Sequence, residues 1–388
     1  MKELRVIIDA HRQADKTRQA AIATVVKVRG SSYRRPGARM YITDDGKWVG
    51  SISGGCLEGD ALRKARKVMA DHKAMTVTYD TREESNQNLG ISLGCNGVID
   101  VLIEPVQNVE STLSIFENCL ASNQPVAIAT IIRGKGTGEK LLIHASGNFS
   151  TLSKAALAEK IKPSLLQVFS SKRSEIKNFR LGEEDFEVFI ELVQPTISVI
   201  LFGGGFDARP VSQLAKTLDW QVQVTDECVA HIAPIFFPQA DNLSLCQRDF
   251  IDRNFHITPF TACVLMSHNY EYDRDALKKL LHSAAPYIGI LGPRKRFDKM
   301  LAEFKHEGIE LTPQQMQRIH SPIGLDIGAE AAEEIAVSII AEIQSKFANR
   351  SGGFLKYNSG PIHQRDAEGD QVFKQVYWVG ETLENLAS

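Results

Sequence analysis

The run Ala20-Ala21-Ile22-Ala23-Thr24-Val25-Val26-Lys27 returns further along the chain as Val126-Ala127-Ile128-Ala129-Thr130-Ile131-Ile132-Arg133. Tyr41-Ile42 with Gly46 returns as Leu142-Ile143 with Gly147, and Val101-Leu102-Ile103-Glu104 as Val188-Phe189-Ile190-Glu191. Order and offsets agree, so the front of the chain is read as a degenerate internal repeat. Both copies keep the apolar strands that a packed core requires. In the first copy, Leu4, Ile7, Ile8 and His11 fall at helical spacing. Residues 20–28, 38–43 and 47–52 read as strands, the last two joined by the turn Asp44-Asp45-Gly46. A helix over 57–70 and strands at 75–79 and 98–104 complete an α+β unit.

At Ser198 the pattern switches. Short apolar runs at 198–202, 221–225, 262–266 and 287–291 alternate with helical stretches at 208–218, 273–282 and 296–306. That alternation is the mark of βαβ units in a doubly wound parallel sheet. The expected fold class is therefore α/β: an N-terminal α+β domain with its degenerate repeat, followed by a Rossmann-type half. The expected boundaries are 1–107, 108–195 for the repeat, 196–348 for the Rossmann-type domain, whose last helix covers 331–346, and a polar tail at 349–388.

The formal net charge of −2 leaves no global field for nucleic acid or an anionic membrane, so any anion site must be local. No apolar run approaches the roughly 18 residues of a membrane span, and the start does not read as a signal peptide. Cysteines stand at 56, 95, 119, 228, 246 and 263 without a CxxC pair. That distribution predicts free thiols and a cytoplasmic location.

Five constellations could carry chemistry. The loop Arg29-Gly30-Ser31-Ser32-Tyr33-Arg34-Arg35-Pro36-Gly37-Ala38-Arg39 concentrates guanidinium groups, whose planar donor forks match phosphate and carboxylate oxygens. A solvated basic loop is the plainer reading. Ser53-Gly54-Gly55-Cys56-Leu57-Glu58 opens a helix, where free N–H groups and the dipole favour an anion and a cysteine thiolate. Cys56 could equally be a small buried hydrophobe. Gly94-Cys95-Asn96-Gly97 forms a tight turn that could bring Cys95 beside Cys56 as a soft metal or sulfur site. Because the second copy lacks all three loops, folding does not require them, and function becomes their expected purpose.

In the other half, Gly203-x-Gly205-x-x-Ala208 follows a strand and opens a helix, as a dinucleotide fingerprint must, and Asp226 ends the next strand where a ribose-binding acid is expected. His268, in Met266-Ser267-His268-Asn269, and Arg294, in Gly292-Pro293-Arg294, lie past the carboxyl ends of later strands, the edge at which open α/β sheets bind ligands. The loop from Ile319 to Gly328 is expected to close over that edge.

Taken together these residues resemble the XdhC/CoxI family of xanthine dehydrogenase accessory proteins. The resemblance covers nearly the whole chain. It rests on Gly30-Ser31-Ser32, Arg35-Pro36-Gly37-Ala38-Arg39-Met40, Ser53-Gly54-Gly55-Cys56-Leu57-Glu58-Gly59, Leu93-Gly94-Cys95-Asn96-Gly97, Gly203-x-Gly205, Ser267-His268, Gly292-x-Arg294 and His320-Ser321-Pro322-Ile323-Gly324-Leu325-Asp326-Ile327-Gly328. The pattern departs at Phe206, where many relatives carry a histidine or another polar residue, and at Asn269, where they carry an acid.

The resemblance implies a maturation factor rather than an enzyme. Such a factor binds the molybdenum cofactor (molybdopterin), protects it during sulfuration and delivers it to an apo molybdenum hydroxylase of the xanthine dehydrogenase type. A cysteine desulfurase would be a second partner, and a homodimer the expected assembly. Cofactor contacts are then expected from Arg34, Arg35, Arg39, Gly54, Gly55, Cys56, Glu58, Gly94, Cys95, Gly203, Gly205, Ala208, Asp226, His268 and Arg294, with Cys56 and Cys95 toward the metal–sulfur end. Two alternatives stand beside it: an NAD(P)-binding oxidoreductase using Gly203-x-Gly205 and Asp226, and a non-catalytic scaffold for a partner enzyme.

Overall fold

A computed structural model describes residues 1–15, 17–30, 32–80, 97–106, 112–144 and 147–357. The described residues form two compact units, one within Met1–Pro195 that also takes in Lys356 and Tyr357, the other Thr196–Leu355.

The first unit opens with helix α1 (Lys2–Gln13), which buries Leu4, Ile7 and Ile8. Strands β1 (Ala20–Gly30), β2 (Arg39–Thr43) and β3 (Trp48–Gly50) follow, then helix α2 (Glu58–Asp71) and strands β4 (Met75–Asp80) and β5 (Gly97–Pro105). They form one antiparallel sheet in the order β3-β2-β1-β5-β4. Ala61, Ala65, Val68 and Met69 of α2 pack with Ala21, Ala23, Val25 and Val101 of the sheet. The spacing of those four α2 residues is that of one helical stripe.

Helix α3 (Thr112–Ala121) leads into the second copy: β6 (Val126–Arg133), β7 (Lys140–His144), β8 (Gly147–Ser150), α4 (Ala155–Ser171), β9 (Glu175–Leu181) and β10 (Glu184–Val193). Its sheet has the order β8-β7-β6-β10-β9, the same topology element for element. The register also repeats. Val25 pairs with Val101 as Ile131 pairs with Val188, and Ile22 pairs with Tyr41 as Ile128 pairs with Leu142. The internal duplication expected from the apolar runs is therefore present residue for residue. Helices α3 and α4 and strand β9 were not foreseen.

The two copies meet across a small apolar cluster, Val26 and Leu102 from one, Ile132 and Phe189 from the other, which are equivalent positions. Around it the ion pairs are reciprocal. Arg39 of the first copy pairs with Glu191 of the second, and Lys140 of the second pairs with Glu104 of the first. Likewise Lys27 lies 2.7 Å from Glu187, and Arg133 lies 3.2 Å from Asp100. Equivalent residues exchange partners, so the halves are related as two subunits about a local two-fold axis.

The second unit contains β11 (Ser198–Phe202), α5 (Ala208–Thr217), β12 (Gln221–Asp226), β13 (Asn242–Leu245), α6 (Ile251–Asn254) and β14 (Thr261–Leu265). It continues with α7 (Tyr270–Leu280), β15 (Tyr287–Ile290), α8 (Arg294–His306), α9 (Pro313–Met316), β16 (Ile319–His320) and α10 (Ala332–Phe347). The sheet is parallel throughout, in the order β13-β12-β11-β14-β15-β16. Along β11, Val199 and Leu201 enter the core on one face while Ile200 and Phe202 enter the core on the other. A central strand buried on both faces needs an unbroken apolar run, which is what 198–202 supplies.

Two helices begin earlier than periodicity suggested. The Asn269 side chain accepts from the Glu271 and Tyr272 amides and starts α7 at Tyr270. Pro293 precedes α8, which starts at Arg294. Ile319 and His320, expected in a loop, instead pair with Ile288 and Gly289 as a short edge strand.

Candidate functional site

The arginine loop borders a cleft of about 720 Å³ in the first unit. Tyr33, Arg34, Arg35 and Arg39 form one side, Glu191 to Gln194 of β10 and its exit form another, and Met1 with Glu3 and Leu4 of α1 a third. The cleft thus lies on the seam between the two copies. Arg39 forms the floor, with its guanidinium 4.7 Å from the Phe116 ring centre. It donates to the Gly37 carbonyl at 2.7 Å and to Glu191. Gly37 has φ +93°, and a Cβ there would stand 2.8 Å from Glu191 Oε1, so this turn requires glycine. Arg34 pairs with Glu3, while Arg35 is exposed and has no ion-pair partner among the described residues.

The Nε atoms of Arg34 and Arg39 are buried and make no hydrogen bond. The Nε of Arg29 in the same loop, and those of Arg209, Arg274 and Arg296 elsewhere, share this state, so the case for an anion rests on three guanidinium groups, Arg34, Arg35 and Arg39, lining one cleft. Glu3 and Glu191 were not foreseen as site residues. Glu191 could have been: the repeat aligns it with Glu104, so both copies carry an acid directly after the equivalent three-residue apolar run.

The Ser53–Cys56 turn differs from expectation. Its helix N-terminus was read as a ligand-anion site, but the Glu58 carboxylate takes the donors. It accepts from the Ile52, Ser53, Gly55 and Leu57 amides at 3.0–3.2 Å and from the Ser51 and Ser53 hydroxyls. Burial alone would push its carboxyl up; the Ser53 and Ser51 hydroxyls and the backbone amides outweigh that and hold it below the usual carboxylate range. Glu58 is therefore the internal anion of this turn.

Gly54 lies against the Tyr33 ring, where a Cβ would meet it at 3.5 Å, so the turn abuts the wall of the cleft. Cys56 is not among the cleft-lining residues; it is half-buried at the margin of the first core. Gly94 and Cys95 fall outside the described residues. The second copy replaces the arginine loop with Gly134-Lys135-Gly136-Thr137-Gly138, where Lys140 still donates to the Gly138 carbonyl at 3.1 Å.

In the second unit the connections leave the central strand β11 on opposite sides, so β11 and β14 flank the topological switch point. Gly203, Gly205 and Ala208 stand there as the fingerprint predicts, with Ala208 fully buried at the start of α5. Packing requires two of the glycines: a Cβ would meet Met266 and Ser267 backbone at 2.5 Å from Gly203 and His231 backbone at 2.5 Å from Gly204, whereas at Gly205 it would make an ordinary 3.5 Å contact with the His268 ring.

Asp226 is buried and committed. It accepts the Gly204 amide at 2.9 Å and the Cys228 amide at 2.8 Å, and His231 Nδ1 lies 3.0 Å away. His268, with φ +60°, lies over Gly205 with Nε2 3.2 Å from Asp207. Arg294 is largely exposed and pairs with Asp298 at 3.1 Å. Asp207 was not foreseen. Among the described residues no cluster of His, Cys, Asp and Glu is arranged to hold a metal ion, and no helix is long and apolar enough to cross a membrane.

Comparison with known proteins bears on both units. The family described as "XdhC and CoxI family" matches residues 13–80, and "XdhC Rossmann domain" matches 199–343. The chain is 31% identical over 326 residues to a probable xanthine dehydrogenase subunit of Bacillus subtilis (strain 168), covering 84% of this chain and 92% of the relative. It is 21% identical over 326 residues to the molybdenum cofactor insertion chaperone PaoD of Escherichia coli (strain K12), covering 84% of this chain and 83% of that one. A crystal structure of a xanthine dehydrogenase from Bacillus halodurans superposes with a TM-score of 0.73 at 28% identity, covering 92% of this chain and 98% of the other.

Proposed function

The chain belongs to the XdhC and CoxI family, and from that premise we propose that it receives, shields and hands on the molybdenum cofactor for a xanthine-dehydrogenase-like hydroxylase. The cofactor is its cargo. The observation that carries this reading is the seam cleft, where Arg34, Arg35 and Arg39 line one cavity and Arg35 has no ion-pair partner among the described residues. Guanidinium groups suit the phosphate end of such a cargo. Cys56, half-buried on a turn that abuts the cleft through Tyr33, is the residue we assign to the metal–sulfur end, with Cys95 as its candidate companion. The name of PaoD adds support by analogy.

The chain's own tasks are to bind, orient and exclude water; no transition state needs stabilising. Sulfur supplied by a cysteine desulfurase and docking of the apo-hydroxylase remain parts of this proposal, as does a homodimer. The oxidoreductase alternative draws on the glycine turn, but Asp226 is already engaged by two amides and His231, which weighs against a free ribose acceptor. The test is protein co-expressed with cofactor biosynthesis, analysed for molybdenum and for oxidised pterin. Stoichiometric retention, lost in Cys56→Ser and reduced in Arg35→Gln, is expected. Protein without pterin that also fails to activate an apo-hydroxylase would refute the assignment, and activation that survives both substitutions would favour a scaffold.

A further inference from the structure

The cleft holds two carboxylates, and they differ in how firmly they are held. Glu191 and Arg39 have side chains only 12% and 8% exposed, whereas Glu3 and Arg34 are 37% and 28% exposed. A buried pair resists separation because each charge would be stranded away from water. A half-exposed pair is exchanged readily, since water replaces most of what is lost. We propose that Glu3 is a built-in competitor: it occupies Arg34 until a phosphate-bearing ligand displaces it, while Glu191 stays in place and fixes Arg39 as the floor. This deepens the cargo-binding reading above and rests on it for the identity of the natural ligand, but its chemistry needs only a phosphate dianion.

The exchange balances without any covalent step. Arg34 leaves one oxyanion for another, and Glu3 turns to water. Arg35, which has no counter-ion among the described residues, adds the second fork. Arg39 is a positioning residue here: Nη1 gives one N–H to the Gly37 carbonyl and Nη2 one to Glu191, which fixes the guanidinium, while its Nε has no acceptor. The two-fold relation between the copies makes a further demand. The opposite seam has the floor pair, Lys140 with Glu104, but its short glycine loop carries one lysine, Lys135, in place of the two adjacent guanidinium groups of Arg34 and Arg35. One chain should therefore take one phosphate, although it holds two copies of the scaffold.

The experiment is calorimetric titration of the full chain with inorganic phosphate at low ionic strength. One site per chain is expected. Glu3→Gln should tighten binding roughly two- to five-fold, the range for releasing a half-exposed ion pair. Arg35→Gln should weaken it roughly tenfold or more, the loss of a charge-assisted contact. Glu117→Gln removes an equal charge from an exposed pair with Arg12 away from the cleft lining and should leave affinity within roughly twofold. Unchanged or weaker binding in Glu3→Gln, a gain of equal size in Glu117→Gln, two phosphates per chain or none would each overturn the proposal. Phosphate binding that obeys these signs in protein that never retains pterin would refute the cargo reading alone. Retained pterin with no gain from Glu3→Gln would do the reverse.

Discussion

Replacing Lys140 with methionine removes the cation from a pair sealed between the two copies. Both side chains are 7% exposed, and among the described residues Lys140 is the one ion-pair partner of Glu104. The substitution keeps most of the side-chain volume, so the main effect is a carboxylate left in a dry site. Breaking a buried pair in this way costs about 3–5 kcal/mol. The exposed Arg12–Glu117 pair in the same unit, 64% and 49% exposed, should be worth about 1 kcal/mol or less. Adding Glu104→Leu to Lys140→Met replaces the whole pair by apolar groups and should recover stability to within about 1 kcal/mol of the parent, or exceed it. Hydrogen exchange of the β5 and β10 amides reads the difference. The single variant should exchange roughly 150 to 5,000 times faster, with the β11 amides of the other unit as the unchanged reference. A single variant less than about tenfold faster, or a double variant no slower than the single, would refute the claim that this pair is a dry, mutually dependent contact.

Further outcomes follow from other sites. Glu58→Gln places an amide among amide and hydroxyl donors and should cost about 2–4 kcal/mol in urea unfolding of the first unit. Because the folded carboxyl titrates below its ordinary value, the stability Glu58 contributes is complete above the unfolded pKa of about 4.5 and fades as pH falls toward the folded one; Glu58→Gln should abolish that part of the acid sensitivity. Burial pushes the Cys119 and Cys263 thiols up to about 12, so at pH 8 iodoacetamide should label exposed Cys228 first, half-buried Cys56 more slowly, and those two only after unfolding; mass spectrometry of timed samples decides. Gly50 has φ +84° and would bring a Cβ within 2.3 Å of the Arg39 carbonyl, so Gly50→Ala should destabilise the first unit by about 2 kcal/mol or more in the same urea assay.

The fold was legible wherever periodicity and punctuation agreed. The glycine turn at 203–205, between an apolar run and a helix, located the parallel half, and the repeated runs at 20–27 and 126–133 carried even the strand register. Helix α4 was missed because Pro163 and mixed polarity blur its stripe, and β9 because Lys177-Asn178 breaks the alternation between Ile176 and Phe179.

The cleft itself was only half legible. The arginines announce an anion, but its other walls come from α1 and β10, and no local pattern says that positions so distant meet. The helix-terminus argument failed for a specific reason: Glu58 sits one turn away and folds back onto the amides, a contact that composition at the turn does not distinguish from a ligand's. The ribose argument placed Asp226 correctly at the end of β12, yet could not foresee that Gly204, Cys228 and His231 converge on it.

The exchanged ion pairs have a bearing on how this chain can change over time. Each copy stores the counter-charges of its twin, so neither half is a self-sufficient module. Trimming away one would strand Arg39 and Glu104, or Glu191 and Lys140, at a bared surface. Between the two copies the loops differ while the joint keeps its charges, and a gene encoding either half alone should yield a product that pairs with itself rather than one that stays single.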